Sequence, residues 1–289
     1  MRKKHRQSSR GFWVSLLVPV GFLLIFYIFP ILIMVVYSFW KIDDFGRILP
    51  EWNLDQYRTF FSHAVYTQLL LRSLRMAVIN TVACMFIAYP LAYFIAKVVK
   101  PKWRYLMLFL VILPSWTSFI IRTYAWILTL GERGVVNYFL MSSGLIEEPL
   151  TLVFTSTAVT ISLIHIYLPY MILPMFTSIE KIDFRYVEAA ESLGASKLQC
   201  FWNIILKLSL PGVVSGSIMV LIPSIGEYVI PMILGGNSGM MYSNAVTAQF
   251  LITNWPLGAA LSFILLIVIT IIFSLYNRFM KIEELWSRS

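Results

Sequence analysis

Six long apolar segments restrict the folds that are open to this chain. Each is at least as long as the roughly 20 apolar residues with which an α-helix crosses a bilayer. Because a backbone in lipid must satisfy its own hydrogen bonds, the segments are expected to be helices. They are Phe12–Trp40, Leu74–Ala96, Tyr105–Leu130, Leu152–Ile179, Leu208–Leu234 and Leu257–Phe279. The sequence therefore predicts an all-α membrane protein with six transmembrane helices.

The composition excludes an ordinary soluble domain. Hydrophobic residues make up 59% of the chain and charged residues 13%, whereas about a quarter of the residues of a soluble domain are charged. The N-terminus has the basic tail of a secretory signal, but the apolar segment after it is too long and lacks a small-residue cleavage pattern. The first segment is therefore expected to remain as a span.

Positive charge is distributed unevenly among the segments that flank the spans. Sixteen of the 23 Lys and Arg residues lie in the N-terminal tail, between spans two and three, between spans four and five, or near the C-terminal end from Arg278 onward. The positive-inside rule places these segments in the cytoplasm, with both termini. We thus expect a cytoplasmic tail (residues 1–11), a transmembrane domain (12–279) and a second cytoplasmic tail (280–289). The net charge of +9 then follows from topology, and nucleic-acid binding is not expected.

One polar loop, residues 180–207, interrupts the apolar second half of the chain. Asp183 is placed to cap a short helix, and Gly194 supplies the left-handed turn at which that helix ends. Ser196 and Gln199 have the spacing of a capping box that opens a second helix. The apolar residues of the second helix recur at helical spacing: Leu198, Phe201, Ile204 and Ile205. The sequence predicts two helices hinged at a glycine.

Five residues of loop 180–207 match a known pattern: Glu188, Ala189, Ala190, Gly194 and Ile204. Their spacing resembles the glutamate-alanine-alanine loop of bacterial ABC importer permeases, where the loop forms coupling helices that dock on the ATP-hydrolysing subunit. The resemblance implies that the glutamate is a charge partner, that the alanines allow close approach, and that the glycine sets the angle between the helices. Lys207 stands where the family commonly has proline, and Pro211 follows. An ordinary helical hairpin is the alternative.

The resemblance covers about residues 15 to 280 and is closest to the permeases of spermidine/putrescine importers. The stretches that carry it include ILPSWTSFIIRTYAW, YLPYMILPMFTSIEKID and LPGVVSGSIMVLIPSIGEYVIPMILGG. It implies a bacterial inner-membrane permease, in contact with lipid, that pairs with a second homologous permease, a dimer of cytoplasmic ATPases and a periplasmic or surface substrate-binding protein. ATP and Mg²⁺ belong to the ATPase, and this chain needs no cofactor. Related branches import other organic cations, amino-acid-like compounds or opine-type solutes.

No catalytic or metal-binding motif is evident in the sequence. The patterns G-x-x-x-x-G-K-[ST] and H-E-x-x-H are absent, so we expect a transport subunit rather than an enzyme. His165 lies in span four, where a hydrogen bond to a neighbouring helix is favoured over a proton relay. A secondary transporter is a further alternative, but it usually has more spans, internal repeats and several midplane ionisable residues.

Glu227 is the one carboxylate that the six predicted spans contain. A charge at mid-bilayer costs about 2.5–3.5 kcal/mol, so it usually faces a cavity or a partner. The neighbouring Pro223, Gly226 and Pro231 should loosen the helix. Two interpretations stay open: a cation pathway, or a structural pair with Arg122 or the second permease. In a pathway, three aromatic rings are candidates to assist a cation: Trp116, Tyr124 and Tyr228.

Overall fold

The structure, a computed structural model, describes residues 17–43 and 45–286, with side chains described as far as Arg278. The predicted N-terminal tail of residues 1–11, the first five residues of the first predicted span, and the last three residues of the chain lie outside the described residues. In chain order the helices are α1 (Leu17–Tyr37), α2 (Asp55–Ser62), α3 (Ala64–Val98), α4 (Pro101–Trp116), α5 (Phe119–Leu130), α6 (Val135–Ser142), α7 (Ser156–Glu180), α8 (Arg185–Ser192), α9 (Lys197–Ile225), α10 (Val229–Leu234), α11 (Gly236–Gly239), α12 (Tyr242–Leu251) and α13 (Trp255–Trp286). Two short strands, β1 (Lys41–Ile42) and β2 (Ile48–Leu49), form an antiparallel pair.

Membrane-spanning character is concentrated in a few of these helices. Within the described chain, α1, α3, α7, α9 and α13 are each long and apolar enough to cross a membrane, and α4 with the bent continuation α5–α6 makes a sixth span if the pair is counted as one. The prediction of a helical membrane protein is confirmed, and the predicted six spans are reached when the bent pair is counted as one.

The third predicted span differs most from the structure. The sequence predicts one helix over Tyr105–Leu130, whereas the structure has two helices that meet at a bend of 88°. Pro114 lies in the last turn before the bend, and its carbonyl accepts a hydrogen bond from the Thr117 hydroxyl at 2.7 Å. Proline lacks an amide hydrogen and a side-chain hydroxyl competes for the backbone carbonyl, so the ladder of helical hydrogen bonds ends there.

The first of two compact units comprises the chain up to Ala64 together with Val246–Val268. The turn between β1 and β2 is built on Asp43, whose carboxylate accepts hydrogen bonds from the backbone amides of Phe45 and Arg47. The Tyr57 hydroxyl of α2 is 2.7 Å from the hydroxyl of Ser38, which follows α1. The hairpin and α2 therefore form a folded connection after the first span.

The second unit runs from Val65 to Ala245 and includes the chain from Ile269 onward. Its core contains the buried face of α7, including Leu163, Ile166, Met171, Ile172, Met175 and Phe176. Helix α9 packs against α7 through Gly212 and Gly216, which have the G-x-x-x-G spacing that lets membrane helices approach closely. An ideal Cβ on Gly212 would stand 2.5 Å from the Pro174 carbonyl oxygen, so this crossing requires glycine.

Candidate functional site

The first helix of loop 180–207 begins at Arg185, close to where the sequence predicts. The Asp183 carboxylate accepts a hydrogen bond from the Arg185 amide at 3.0 Å, which satisfies one of the free amides at the start of α8. The helix ends at Ser192, and Gly194 adopts a φ of 91°. That value lies in the left-handed region that glycine enters without steric cost. The predicted glycine turn is confirmed. The predicted cap is not: the N-cap residue is Phe184, whose side chain makes no capping hydrogen bond, and Asp183 lies one residue earlier.

The second helix begins with the predicted capping box. The Ser196 hydroxyl accepts from the Gln199 amide at 3.3 Å, and the Gln199 side chain accepts from the Ser196 amide at 2.8 Å. The sequence predicts that this helix is separate from a fifth span starting at Leu208, and this part is wrong. Helix α9 is continuous from Lys197 to Ile225, with a π-helical turn at Phe201–Ile205. Pro211 lies inside it and does not end it.

Loop 180–207 has a small apolar core of its own. Four residues form the buried part of this core: Ile182, Val187, Cys200 and Ile205. Ala190 and Ile204, two of the pattern residues, pack against it, so they support the loop from inside. Leu198, predicted on the apolar face, is instead 67% exposed. The π-helical turn that begins three residues later contains one extra residue per turn, and it changes which positions share a face.

The outer surface of loop 180–207 combines exposed carboxylates with large apolar side chains. Glu188 and Ala189 are exposed. The exposed apolar residues of this surface are Tyr186 (64%), Leu193 (90%), Leu198 (67%) and Trp202 (56%). Sequence analysis did not predict that these four residues share an exposed surface, although Tyr186, Leu193 and Trp202 are apolar residues outside the predicted helical stripe. Large exposed apolar residues on a polar loop indicate a surface that contacts another protein or the membrane.

The second candidate region is the break between α9 and α10, residues 226–228. Glu227 is buried there, with 9% of its surface exposed. Its Oε1 accepts hydrogen bonds from the backbone amides of Tyr228 (3.1 Å), Val229 (2.9 Å) and Ile230 (3.4 Å). Its Oε2 accepts one from the Tyr167 hydroxyl of α7 at 2.9 Å. The carboxylate thus satisfies the free amides at the start of α10 and is favoured there by the helix dipole.

This environment does not contain the predicted pair with Arg122, whereas the cation pathway and the pair with the second permease stay predictions. The ion pairs among the described residues join Arg58 to Asp55 and Arg185 to Asp183, so the proposed pair with Arg122 is absent from the described chain. The oxygens of Glu227 already accept four hydrogen bonds from within the chain. The loosening of the helix by the surrounding glycine and prolines is confirmed, since α9 ends at Ile225.

Buried polar side chains hold the chain on both sides of the break. The Asn80 amide of α3 donates to the Ser224 hydroxyl at 2.7 Å, and both side chains are fully buried. On the other side, the Asn244 amide of α12 donates to the Tyr228 carbonyl at 2.8 Å. Hydrogen bonds between helices are the usual way to satisfy polar groups in an apolar interior. Helices α3, α7 and α12 therefore each donate a hydrogen bond to the chain at or beside residues 226–228.

The three aromatic pathway candidates all have exposed rings. Trp116 is 72% exposed at the bend after α4, Tyr124 is 55% exposed on α5, and Tyr228 is 42% exposed at the break. The Trp116 ring meets the edge of Phe109 at 5.6 Å between centroids. No ring contact joins the three to one another among the described residues. Of the three, only Tyr228 is next to Glu227 in the chain, so the position of its ring depends on the break between α9 and α10.

His165 lies on α7, where its Nδ1 accepts a hydrogen bond from the indole of Trp126 in α5 at 3.4 Å. The favoured hydrogen bond to a neighbouring helix is confirmed. Within residues 17–43 and 45–286, no three His, Cys, Asp or Glu side chains gather into a group that could hold a metal ion. Cys84 and Cys200 are buried free thiols.

Known proteins are similar to this chain along nearly its whole length. Residues 88–281, which include both candidate regions, match the family described as binding-protein-dependent transport system inner membrane component. The chain is 41% identical over 260 residues to the spermidine/putrescine transport system permease protein PotB of Escherichia coli (strain K12), covering 90% of this chain and 94% of that protein. It is 35% identical over 270 residues to PotB of Haemophilus influenzae, covering 93% and 94%.

A solved structure has a similar fold. It is the crystal structure of a bacterial ABC transporter involved in the import of the acidic polysaccharide alginate, one chain of which superposes with a TM-score of 0.73 over 93% of this chain and 94% of that one. The sequences are 18% identical, so the likeness concerns the fold alone.

Proposed function

This chain belongs to the family of binding-protein-dependent transport system inner membrane components, and we propose that it carries polyamines, spermidine and putrescine, across the bacterial inner membrane. The observation that carries this proposal is the 41% identity to the spermidine/putrescine permease of Escherichia coli, which extends over 94% of that protein. As the permease of an ABC importer, the chain moves its substrate between compartments without changing it chemically.

We propose that the chain forms half of a translocation pathway with a second homologous permease. A dimer of cytoplasmic ATPases binds ATP and Mg²⁺, because this sequence has no Walker pattern of its own. A periplasmic or surface-tethered binding protein delivers the substrate, in keeping with the description of the family. Closure of the ATPase dimer turns the two permeases from inward-facing to outward-facing.

Loop 180–207 is the proposed docking element for the ATPase. Its separate core allows the loop to move as one body, and its exposed apolar residues supply a surface that a partner can bury. Glu188 and Ala189 are accessible for direct contact. Ala190, Gly194 and Ile204 act from within, because the first and third pack against the loop core and the glycine sets the turn.

The break at residues 226–228 is proposed to shape the substrate pathway rather than to bind the cation through Glu227. Glu227 and its four hydrogen bonds fix the start of α10 and so hold the exposed ring of Tyr228 in place. The faces of Tyr228, Trp116 and Tyr124 are suited to attract a cationic amine when they are freed from bulk water. A positively charged polyamine is attracted to such ring faces, whereas an anionic sugar is not.

Uptake of labelled spermidine by cells with and without the gene tests the proposal. Unlabelled spermidine and putrescine should compete in the cells that carry the gene, and a basic amino acid, an opine and a quaternary ammonium compound serve as competitors of other classes. Uptake that depends on the gene and is displaced by polyamines alone is the expected result. Displacement by one of the other classes would assign the permease to that substrate instead, and no dependence on the gene would contradict the polyamine proposal.

A further inference from the structure

Lys97, near the end of α3, lies against the first residues of loop 180–207. Its ammonium group donates hydrogen bonds to the carbonyl oxygens of Ile182 at 2.9 Å and Glu180 at 3.4 Å. The same nitrogen is 4.4 Å from the centroid of the Phe184 ring. We refer to these four residues as the Lys97 cluster.

The chemistry of the cluster suits a lysine. The last carbonyl groups of a helix have no partner within the helix, and a cation near them is stabilised by the helix dipole. Helix α7 ends at Glu180, so the ammonium binds the chain at the point where span four becomes loop 180–207. The face of Phe184 attracts the same charge. The half-buried side chain of Lys97 therefore joins the end of span two to the start of the loop.

Two further residues of α3 contact the other end of the loop. The Tyr89 hydroxyl is 2.9 Å from the hydroxyl of Ser209, and its ring meets the edge of Phe201 at 5.8 Å. Tyr93 packs against the loop core. The spacing of Tyr89, Tyr93 and Lys97 is four residues in each case, which places them near one face of the helix. A single stripe on span two thus contacts both the beginning and the second helix of loop 180–207.

We propose that Lys97 is a positioning residue for energy coupling, which holds α3 to loop 180–207 so that a displacement of the loop moves span two together with α7 and α9. This inference rests on the proposed docking role of the loop. The charge-assisted hydrogen bonds end on backbone carbonyls, so they hold the loop whatever side chains it presents to a partner. Without them, the beginning of the loop loses its hydrogen bonds to span two, and less of a displacement of the loop reaches that span.

The test uses the assembled importer, reconstituted in proteoliposomes with its partner permease, ATPase and binding protein. Lys97→Met keeps the apolar stem and removes the charge and every donor. Lys97→Arg keeps the positive charge and the hydrogen-bond donors. Lys100→Met is the matched control, because Lys100 is an exposed lysine three residues further along at the same membrane face. Spermidine import, ATP hydrolysis and backbone hydrogen exchange of residues 183–195 are measured for each complex.

We expect the Lys97→Met complex to assemble and hydrolyse ATP, while the spermidine imported per ATP falls about tenfold, since loss of one charge-assisted hydrogen bond shifts an equilibrium by about that factor or more. Exchange should accelerate in residues 183–195 and not in the spans. The Lys97→Arg and Lys100→Met complexes should behave like the parent. Phe184→Leu, which removes the ring and leaves both carbonyl acceptors, should show a smaller fall.

A parental import ratio in the Lys97→Met complex would overturn the proposal. An equal fall in the Lys100→Met complex would do so as well, because the effect would then come from surface charge. Failure of the Lys97→Met complex to assemble would also count against it, since Lys97 would then serve folding. If the importer proves to carry another solute, the amount of that solute imported per ATP is measured instead. Failure of the polyamine proposal is thereby distinguished from failure of the Lys97 proposal.

Discussion

The Tyr167 hydroxyl donates a hydrogen bond of 2.9 Å to the Oε2 of Glu227, sixty residues further along the chain. This bond connects the middle of span four to the point at which span five stops. The Oε1 of the same carboxylate accepts hydrogen bonds from three backbone amides. Glu227 therefore stabilises the packing of these helices. Substitutions at Tyr167 or Glu227 should therefore affect the stability of the protein.

Tyr167→Phe should lower stability and leave substrate recognition unchanged. The substitution removes one hydrogen bond to a charged group, which is worth roughly 1.5–3 kcal/mol in general. We expect a lower unfolding temperature and a lower yield of the detergent-solubilised complex, with an unchanged concentration for half-maximal spermidine uptake. Tyr170→Phe is the control, because Tyr170 is 45% exposed on the same helix. A weaker apparent affinity with normal stability would instead place Tyr167 and Glu227 in the pathway.

Gly212→Val should prevent correct packing of α9 on α7. A Cβ at this position stands 2.5 Å from both the Pro174 carbonyl oxygen and the Ser178 Cβ, so two backbones must separate. Overpacking of a core costs about 1–3 kcal/mol or more, and the protein should be degraded or recovered at low yield. Gly21→Val is the matched control in another span, because an added Cβ there meets nothing within 4 Å. Equal yields of the two variants would contradict the close crossing.

Glu188→Lys should impair coupling without impairing insertion into the membrane. Glu188 is exposed on α8, and reversal of its charge places a lysine on the proposed docking surface. Uptake and substrate-stimulated ATP hydrolysis should fall together by about tenfold, the effect of roughly 1.4 kcal/mol at an interface. Glu191→Lys makes the same charge change at another exposed position of the same helix. A Glu188→Lys importer that works at the parental rate would remove the docking role of this residue.

Leu193→Asn should weaken the association with the ATPase while the permease itself remains folded. The side chain is 90% exposed, so the free permease loses almost no packing, whereas a partner that covers it loses an apolar contact. Co-purification of the ATPase should decrease at unchanged permease yield. Leu145→Asn, at a position 72% exposed between α6 and α7, is expected to have no effect. Undiminished co-purification would exclude Leu193 from the interface.

Topology can be tested by labelling in intact cells. Single cysteines replace Glu191 in loop 180–207 and Glu147 between α6 and α7, in a background where Cys84 and Cys200 are alanine. Because the basic residues place the loop in the cytoplasm, an impermeant thiol reagent should label position 147 and not position 191. Both sites are exposed, so the difference reports the side of the membrane. Labelling of position 191 from outside would overturn the predicted orientation.

Local chemistry made loop 180–207 predictable from sequence. A glycine after a short helix and a serine three residues before a glutamine form their hydrogen bonds with near neighbours, so the turn at Gly194 and the box at Ser196 follow from spacing. The end of α9, the helix that the capping box opens, is not determined by nearby residues in this way. Nothing after Leu208 in the sequence stops it, and α9 continues until Gly226.

The surroundings of Glu227 depended on tertiary packing and could not be read from its neighbours. The Tyr167 hydroxyl reaches it only because α7 and α9 cross closely, and the glycines that permit the crossing were a signal that sequence analysis did not use. The bend after Pro114 was likewise signalled by a proline followed by hydroxyl side chains. The glycines of α9 and Pro114 of the third predicted span both lie among aromatic and apolar residues. Each of the two segments therefore has the composition of an ordinary span.

The continuity of α9 has a mechanical consequence. At 1.5 Å per residue, a helix of 29 residues is about 43 Å long, which exceeds the roughly 30 Å thickness of the hydrocarbon core. The turn at Gly194 and the break at Glu227 therefore lie at opposite ends of one rod. By the geometry of a helix of that length, a tilt of about 5° at one end displaces the other by about 4 Å. A movement of loop 180–207 is therefore carried along α9 to the buried carboxylate of Glu227.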